Sequence, residues 1–283
     1  MKFIARLETA WQQQDSLLCV GLDPEPGRLP APLAQHADGV FEFCRAIVDA
    51  TADLVCCFKP QIAHFAAQRA EPSLERVIAY IHEHHPLVPV ILDAKRGDIG
   101  STAQHYASEA FDRYGADAVT LNPYLGRDSL QPYLQRADKG AVILCHTSNP
   151  GAADLQELST PDEHGTGTPL YLHVARRVAR DWNANGNCAL VVGATYPQQL
   201  AEVRRTVGDA LPLLVPGVGA QGGDVAAVVY NGRNSTNAGL IISTSRAVLY
   251  AGGGSDFAAA ARGAAMALRD EINRYRARSS AQA

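Results

Sequence analysis

The 283-residue chain has no apolar stretch of 18 residues free enough of polar groups to span a bilayer, and its opening "MKFIARLETAWQQQ" lacks the continuous apolar core of a signal peptide. It has no excess of positive charge either. Its 25 Lys and Arg stand against 29 Asp and Glu, a formal net charge of -4. That balance excludes the global basic field of a nucleic-acid-binding protein, while a local cationic pocket for a small anionic ligand stays open. Six cysteines are too few and too apolar in setting for a disulfide framework; four sit in or beside greasy runs, where free cysteine acts as a small hydrophobe. No repeat, interdomain linker or low-complexity tract interrupts the chain, apart from a mild alanine bias near its end. The expectation is a soluble, cytoplasmic protein with no membrane or nucleic-acid partner.

What is present is a recurring unit. After a leading helix over 2–14, apolar runs end again and again in a polar or glycine residue: "SLLCVGLDP" at Asp23, "ADLVCCFKP" at Lys59, "LVPVILDAKRGD" at Asp93 to Lys95 and "ADAVTLNPY" at Asn122. Four more follow: "GAVILCHTSN" at His146, "NCALVVGAT" at Gly193, "LPLLVPGVGAQGG" at Gly217 and "NAGLIISTSR" at Ser243. The intervals between these eight ends are 36, 34, 29, 24, 47, 24 and 26 residues, about a strand plus a crossover helix. Helical spacing fills the gaps, at 38–52, 73–84, 101–114, 127–138, 169–182 and 197–207, and again in "DFAAAARGAAMALRDEINRYR". Strands apolar on both faces, alternating with helices, predict one α/β domain over 1–283: a (β/α)8 barrel, the TIM-barrel fold. An open doubly wound sheet would leave edges exposed. The 47-residue interval predicts a long loop at about 149–168, either a lid or a disordered insertion.

The third strand ends "DAKRGD". Residues i and i+2 of a strand share a face, so Asp93 and Lys95 are expected to point into one space and Ala94 away from it. Asp23 and Lys59 end the two preceding strands, and Asp98 lies just beyond the third. All five charges thus fall at the C-terminal face, where barrel active sites form. Any one alone reads as a surface salt bridge worth little. Five of alternating sign on three consecutive strands read as a site. Carboxylates keep a neighbouring lysine charged, and at an effective dielectric of 20 opposite charges 4 Å apart interact by about 4 kcal/mol. A fixed ammonium can meet negative charge on a carbon and then protonate it, which suits decarboxylation. A Schiff-base lysine, as in a class I aldolase, needs a neutral amine and is the enzymatic alternative. A non-catalytic sugar-phosphate-binding barrel is the other. A metal on the carboxylates would compete with Lys59 and Lys95.

The loops after the last two strands, "PGVGAQGG" and "STSRAVLY", fit a phosphate site, with Gln221 and Arg246 as donors. The glycine spacing does not match a dinucleotide fingerprint, so no nicotinamide cofactor is expected. Ser148 and Asn149, at the fifth strand end, could read a flat base. His146 and Cys145 face opposite sides of their strand and are not a catalytic couple.

"LDAKRGDIGSTA" resembles the signature of the orotidine 5'-phosphate decarboxylase family, and "VGLDP", "FKPQ", "LNPYLG", "TSNPG", "PGVGAQGG" and "STSR" are similar to family segments in family order. The long loops resemble the bacterial subgroup with larger subunits. The resemblance implies conversion of orotidine 5'-phosphate to uridine 5'-phosphate (UMP) and CO2, in a homodimer with shared active sites and without metal or organic cofactor. By the same resemblance Lys95 donates the proton to C6, while Asp93 sits by the departing carboxylate. Asp98 is lent to the partner's site, with Ile99 and Thr102 lining it. Asp23 and Lys59 bind ribose hydroxyls, Lys59 also completing the charge network; Ser148 touches the pyrimidine, and Gln221 and Arg246 the phosphate. Arg96, one residue on from Lys95, is expected to face away and steady a loop or an interface.

Overall fold

A computed structural model describes residues 1–161, 165–218 and 223–277. Its eight parallel strands are β1 (Leu18–Leu22), β2 (Cys57–Pro60), β3 (Ile91–Arg96), β4 (Ala118–Leu121), β5 (Gly140–His146), β6 (Cys188–Val192), β7 (Leu213–Pro216) and β8 (Leu240–Thr244). They pair in chain order, β8 pairs with β1, and the bridges Phe58–Val90 and Gln61–Asp93 join β2 to β3. The ring is therefore closed and has no free edge, as the strand pattern predicted. β1, β2, β4, β6 and β8 are buried along their whole length. One set of side chains fills the barrel and the other packs under the helices, which is why these strands do not alternate.

The crossover helices fall close to the expected windows. Two differ. The helix expected over 127–138 is Arg127–Leu134, with Pro132 inside it, and the chain then turns so that Gly140 can open β5. A helix at Val225–Gly232, not singled out from the sequence, completes the crossover to β8 and is capped by Asp224, whose side chain accepts from the Ala226 and Ala227 amides.

The leading helix Phe3–Gln13 closes the N-terminal mouth with buried Phe3, Leu7, Ala10 and Trp11. Phe3 lies so near Gly140 that a Cβ there would stand 2.3 Å from its ring. At the opposite mouth the long segment after β5 is folded among its described residues. It forms a 3-10 turn at Pro150–Asp154, then an antiparallel ribbon pairing Ser159–Pro161 with Gly167–Pro169.

Candidate active site

Three of the charges at the C-terminal mouth form one cluster. Asp93 takes Lys59 Nζ on Oδ2 at 2.9 Å and Lys95 Nζ on Oδ1 at 2.7 Å, while the Thr120 hydroxyl donates to Oδ1 at 2.9 Å. Burial pushes the Asp93 carboxyl up, but the ammonium groups of Lys59 and Lys95 outweigh it and hold the group well below the usual carboxylate range. Burial likewise pushes Lys59 down, and the carboxylates of Asp93 and Asp23 more than reverse this, leaving it above the ordinary lysine range. That direction is the opposite of what a Schiff-base lysine requires.

The backbone that brings Lys95 to Asp93 is not the regular pleat expected from the sequence. Register with β4 slips between Leu92, opposite Val119, and Arg96, opposite Leu121. Lys95 itself has a φ of 46°, in the left-handed region that costs a non-glycine residue of order 1 kcal/mol. The strain is held by Thr120, whose Oγ1 accepts the amides of both Ala94 and Lys95, at 3.0 and 2.9 Å. A bulge of this kind re-aims a side chain. Arg96 faces outward, as expected, paired with Glu109 at 2.7 Å and lying over the Tyr106 ring.

The cluster floors a cavity of about 430 Å³ lined by Lys59, Asp93, Lys95 and Thr120, by the apolar Leu144, Val191, Leu214 and Pro216, and by Thr147, Ser148, Asn149 and Gln156. This is room for a flat, largely apolar ring with polar groups at one edge. Gly193 is required here, because a Cβ on it would stand 2.6 Å from Ser148 Cα and push the turn off β6. Gln156, from the long segment after β5, steadies the same turn by accepting the Thr147 amide at 2.8 Å.

A second cavity of about 150 Å³ shares Lys59 and Pro216 with the first and continues past Asp23, Gly217 and Ser243 to Ser245 and Arg246. Asp23 Oδ1 is buried there and has no hydrogen-bond partner among the described residues. Among those residues no carboxylate pairs with Arg246, which is exposed at the cavity rim. A guanidinium with no carboxylate partner among the described residues, at the rim of this cavity, has the chemistry to meet an anion.

The structure thus brings together Lys59, Asp93 and Lys95, and places Asp23, Ser148 and Arg246 on the walls around them. It does not bring in Asp98, Ile99 or Thr102. None of the three is among the described wall residues; Ile99 is 58% exposed and Thr102 is exposed at the start of the helix Gly100–Ser108. Gln221 lies outside the described residues. Thr120 and Gln156 are the site residues that sequence reasoning missed.

Comparison with known proteins converges on one family. A family model described as orotidine 5'-phosphate decarboxylase / HUMPS family matches residues 16–262. The chain is 64% identical over 276 residues to the orotidine 5'-phosphate decarboxylase of an Azoarcus species, covering 98% of this chain and 100% of that protein. It is 60% identical over 276 residues to that of Ralstonia nicotianae, with the same coverage. Among solved structures, Leishmania donovani OMP decarboxylase superposes with a TM-score of 0.84 at 38% identity, over 99% of this chain and 100% of that one.

Proposed function

Because the chain belongs to the orotidine 5'-phosphate decarboxylase / HUMPS family, we propose that Lys95 is the acid that replaces the departing carboxylate with a proton, held in place by Asp93 and Lys59. The reaction is the decarboxylation of orotidine 5'-phosphate to UMP and CO2, a carbon–carbon lyase step of pyrimidine biosynthesis, and the close bacterial relatives are of the larger-subunit type. The bond from C6 to the carboxylate breaks and CO2 leaves. The electron pair stays on C6 and takes a proton from the Lys95 ammonium; the amine is then recharged from water.

The pyrimidine occupies the wider cavity, against Leu144, Val191 and Leu214, with Ser148 at its polar edge. The phosphate occupies the narrower one, held by Arg246 and Gln221. The ribose spans the junction beside Asp23 and Lys59. Binding energy from phosphate and ribose carries the carboxylate to Asp93 and C6 to Lys95. As carbanion character grows, the lysine stabilises it more than it stabilises the substrate. The observation that carries this reading is the single carboxylate of Asp93 bridging two ammonium groups on the wall of the wider cavity, one of which, Lys59, also lines the narrower one.

Asp98, Ile99 and Thr102 serve the site of a second copy, in a homodimer with shared active sites. Ile99 and Thr102 are exposed at the same mouth and Asp98 is half-buried beside them, which supports this, as does an exposed Tyr124 on the neighbouring loop. The step is written without a metal: at Asp93 an ion would have to displace Lys59, Lys95 and Thr120 from the carboxylate oxygens. The protein works in the cytoplasm: its six cysteines are free and buried, and among the described residues no helix is long and apolar enough to cross a membrane. Chelator-treated protein should deplete orotidine 5'-phosphate, followed by absorbance, without added metal. No turnover under those conditions would overturn the reading.

A further inference from the structure

Tyr250 follows the short helix Arg246–Leu249 and has no part in the chemistry above. Its hydroxyl accepts the Glu25 amide at 2.7 Å and donates to the Asp23 carbonyl at 3.2 Å. Its ring is clamped as well. Phe43 stacks on it with centroids 5.8 Å apart and planes 15° from parallel, and the Arg28 guanidinium lies 3.7 Å from its centroid. Burial pushes the phenol up to about 12, so it keeps its proton to donate near neutral pH.

The intervening residue is held from another side. Gln68, beyond the helix Ile62–Ala66, donates Nε2 to the Pro24 carbonyl at 2.8 Å. Three consecutive backbone positions after β1 are therefore fixed by side chains from the segments following β8 and β2. The Asp23 carboxylate is different: its backbone is anchored, while Oδ1 stays buried without a partner among the described residues. A buried carboxylate oxygen without a donor is costly, and the residue that carries it lines the narrow cavity.

We propose that Tyr250 is a positioning residue that fixes Asp23 at the height where its carboxylate receives a ribose hydroxyl, so that this clamp sets how strongly the enzyme rejects a nucleotide lacking that hydroxyl. The inference rests on the assignment of Asp23 to the ribose. A rigid acceptor left unpaired by the wrong ligand discriminates; one that can swing to another donor does not.

The test measures dissociation constants for UMP and for its 2'-deoxy and 3'-deoxy analogues, on wild type, Asp23→Ala, Tyr250→Phe and Gln68→Ala. In wild type, loss of the hydroxyl that Asp23 reads should weaken binding by about tenfold or more. Asp23→Ala should erase that penalty and so identify the hydroxyl. Tyr250→Phe keeps the stack and should shrink the same penalty by at least about threefold, leaving the penalty for the other hydroxyl unchanged, an effect general loosening of the fold would not give. Gln68→Ala should act in the same direction and decides the matter if Tyr250→Phe does not fold. If Asp23→Ala leaves both penalties intact, the ribose assignment fails and the positioning role with it. If Asp23→Ala erases one penalty while Tyr250→Phe and Gln68→Ala keep it at the wild-type value, the positioning role alone is wrong.

Discussion

Two buried aspartates sit at opposite mouths of one barrel wall. Asp93 lies toward the C-terminal end of β3, and Asp117 stands just before β4. Each binds two basic side chains. Asp117 pairs with Arg6 and with His82, the latter at 3.0 Å, and accepts the Val90 amide at 2.8 Å. At both mouths burial pushes the carboxyl up and the basic neighbours more than reverse it. The difference lies in what the partners have left to offer. At the bottom, Arg6 also donates to the Pro86 carbonyl at 2.6 Å, so the cluster spends itself tying the leading helix to the loop before β3. At the top, the Lys95 side chain is 47% exposed, on a strained backbone, facing a cavity. A buried ion cluster therefore does not by itself mark a catalytic site; spare donor capacity aimed at open space does.

The contrast is sharpest for Lys95→Ala, which should lower kcat by about 10³-fold or more, in keeping with the loss of a general acid. UMP binding and melting temperature should stay near wild type; turnover comparable to wild type in a pure preparation would collapse the distinction. Asp117→Ala should do the reverse, costing about 3 kcal/mol in denaturant unfolding by stranding Arg6 and His82, with kcat within about twofold of wild type. A large kcat effect there would mean that the lower cluster reaches the site. Arg246→Ala should reduce kcat/KM by roughly tenfold to a hundredfold for the phosphorylated substrate, and change stability by no more than about 0.5 kcal/mol, because its side chain is exposed and no carboxylate among the described residues would be stranded.

The smallest effect is in pH. A carboxyl depressed in the folded state contributes stability that is complete above its unfolded pKa of about 3.9 and drains away as pH falls toward the lower folded value. Both Asp93 and Asp117 act in this sense, so acid unfolding below about pH 4 should be shallower in Asp117→Ala than in wild type. Equal slopes would show that Asp117 contributes no such linkage. Lys59, raised in the folded state, contributes in the opposite window: its share is full below about pH 10.4 and lost as pH climbs through the folded value.

Lys59, Asp93 and Lys95 were legible because charges of alternating sign recur at the ends of three consecutive apolar runs, a clustering that single surface salt bridges do not need. Thr120 was not: it sits inside "AVTL", and its role comes only from the slipped register that sets its hydroxyl under two amides of β3. Gln156 stayed hidden because the composition of 149–168 signals loop, while the paired strands at 159–161 and 167–169 are too short to show alternation. Asp117 escaped notice for another reason, since it stands alone ahead of an apolar run and only the tertiary partners Arg6 and His82 give it meaning. The barrel itself was the easiest part, written in eight apolar runs at crossover spacing.

The slip between β3 and β4 has a consequence for how such a wall carries its reactive groups. From Leu92 to Arg96 the third stave spends four steps where its neighbour, from Val119 to Leu121, spends two. On the side facing β4 the stave is two residues longer than the height it fills, while on the side facing β2 it keeps step from Val90 to Asp93, so the surplus lies just past the reactive carboxylate. The surplus is what lets Lys95 turn back onto Asp93, so the same slip that breaks the ladder joins the acid to its carboxylate.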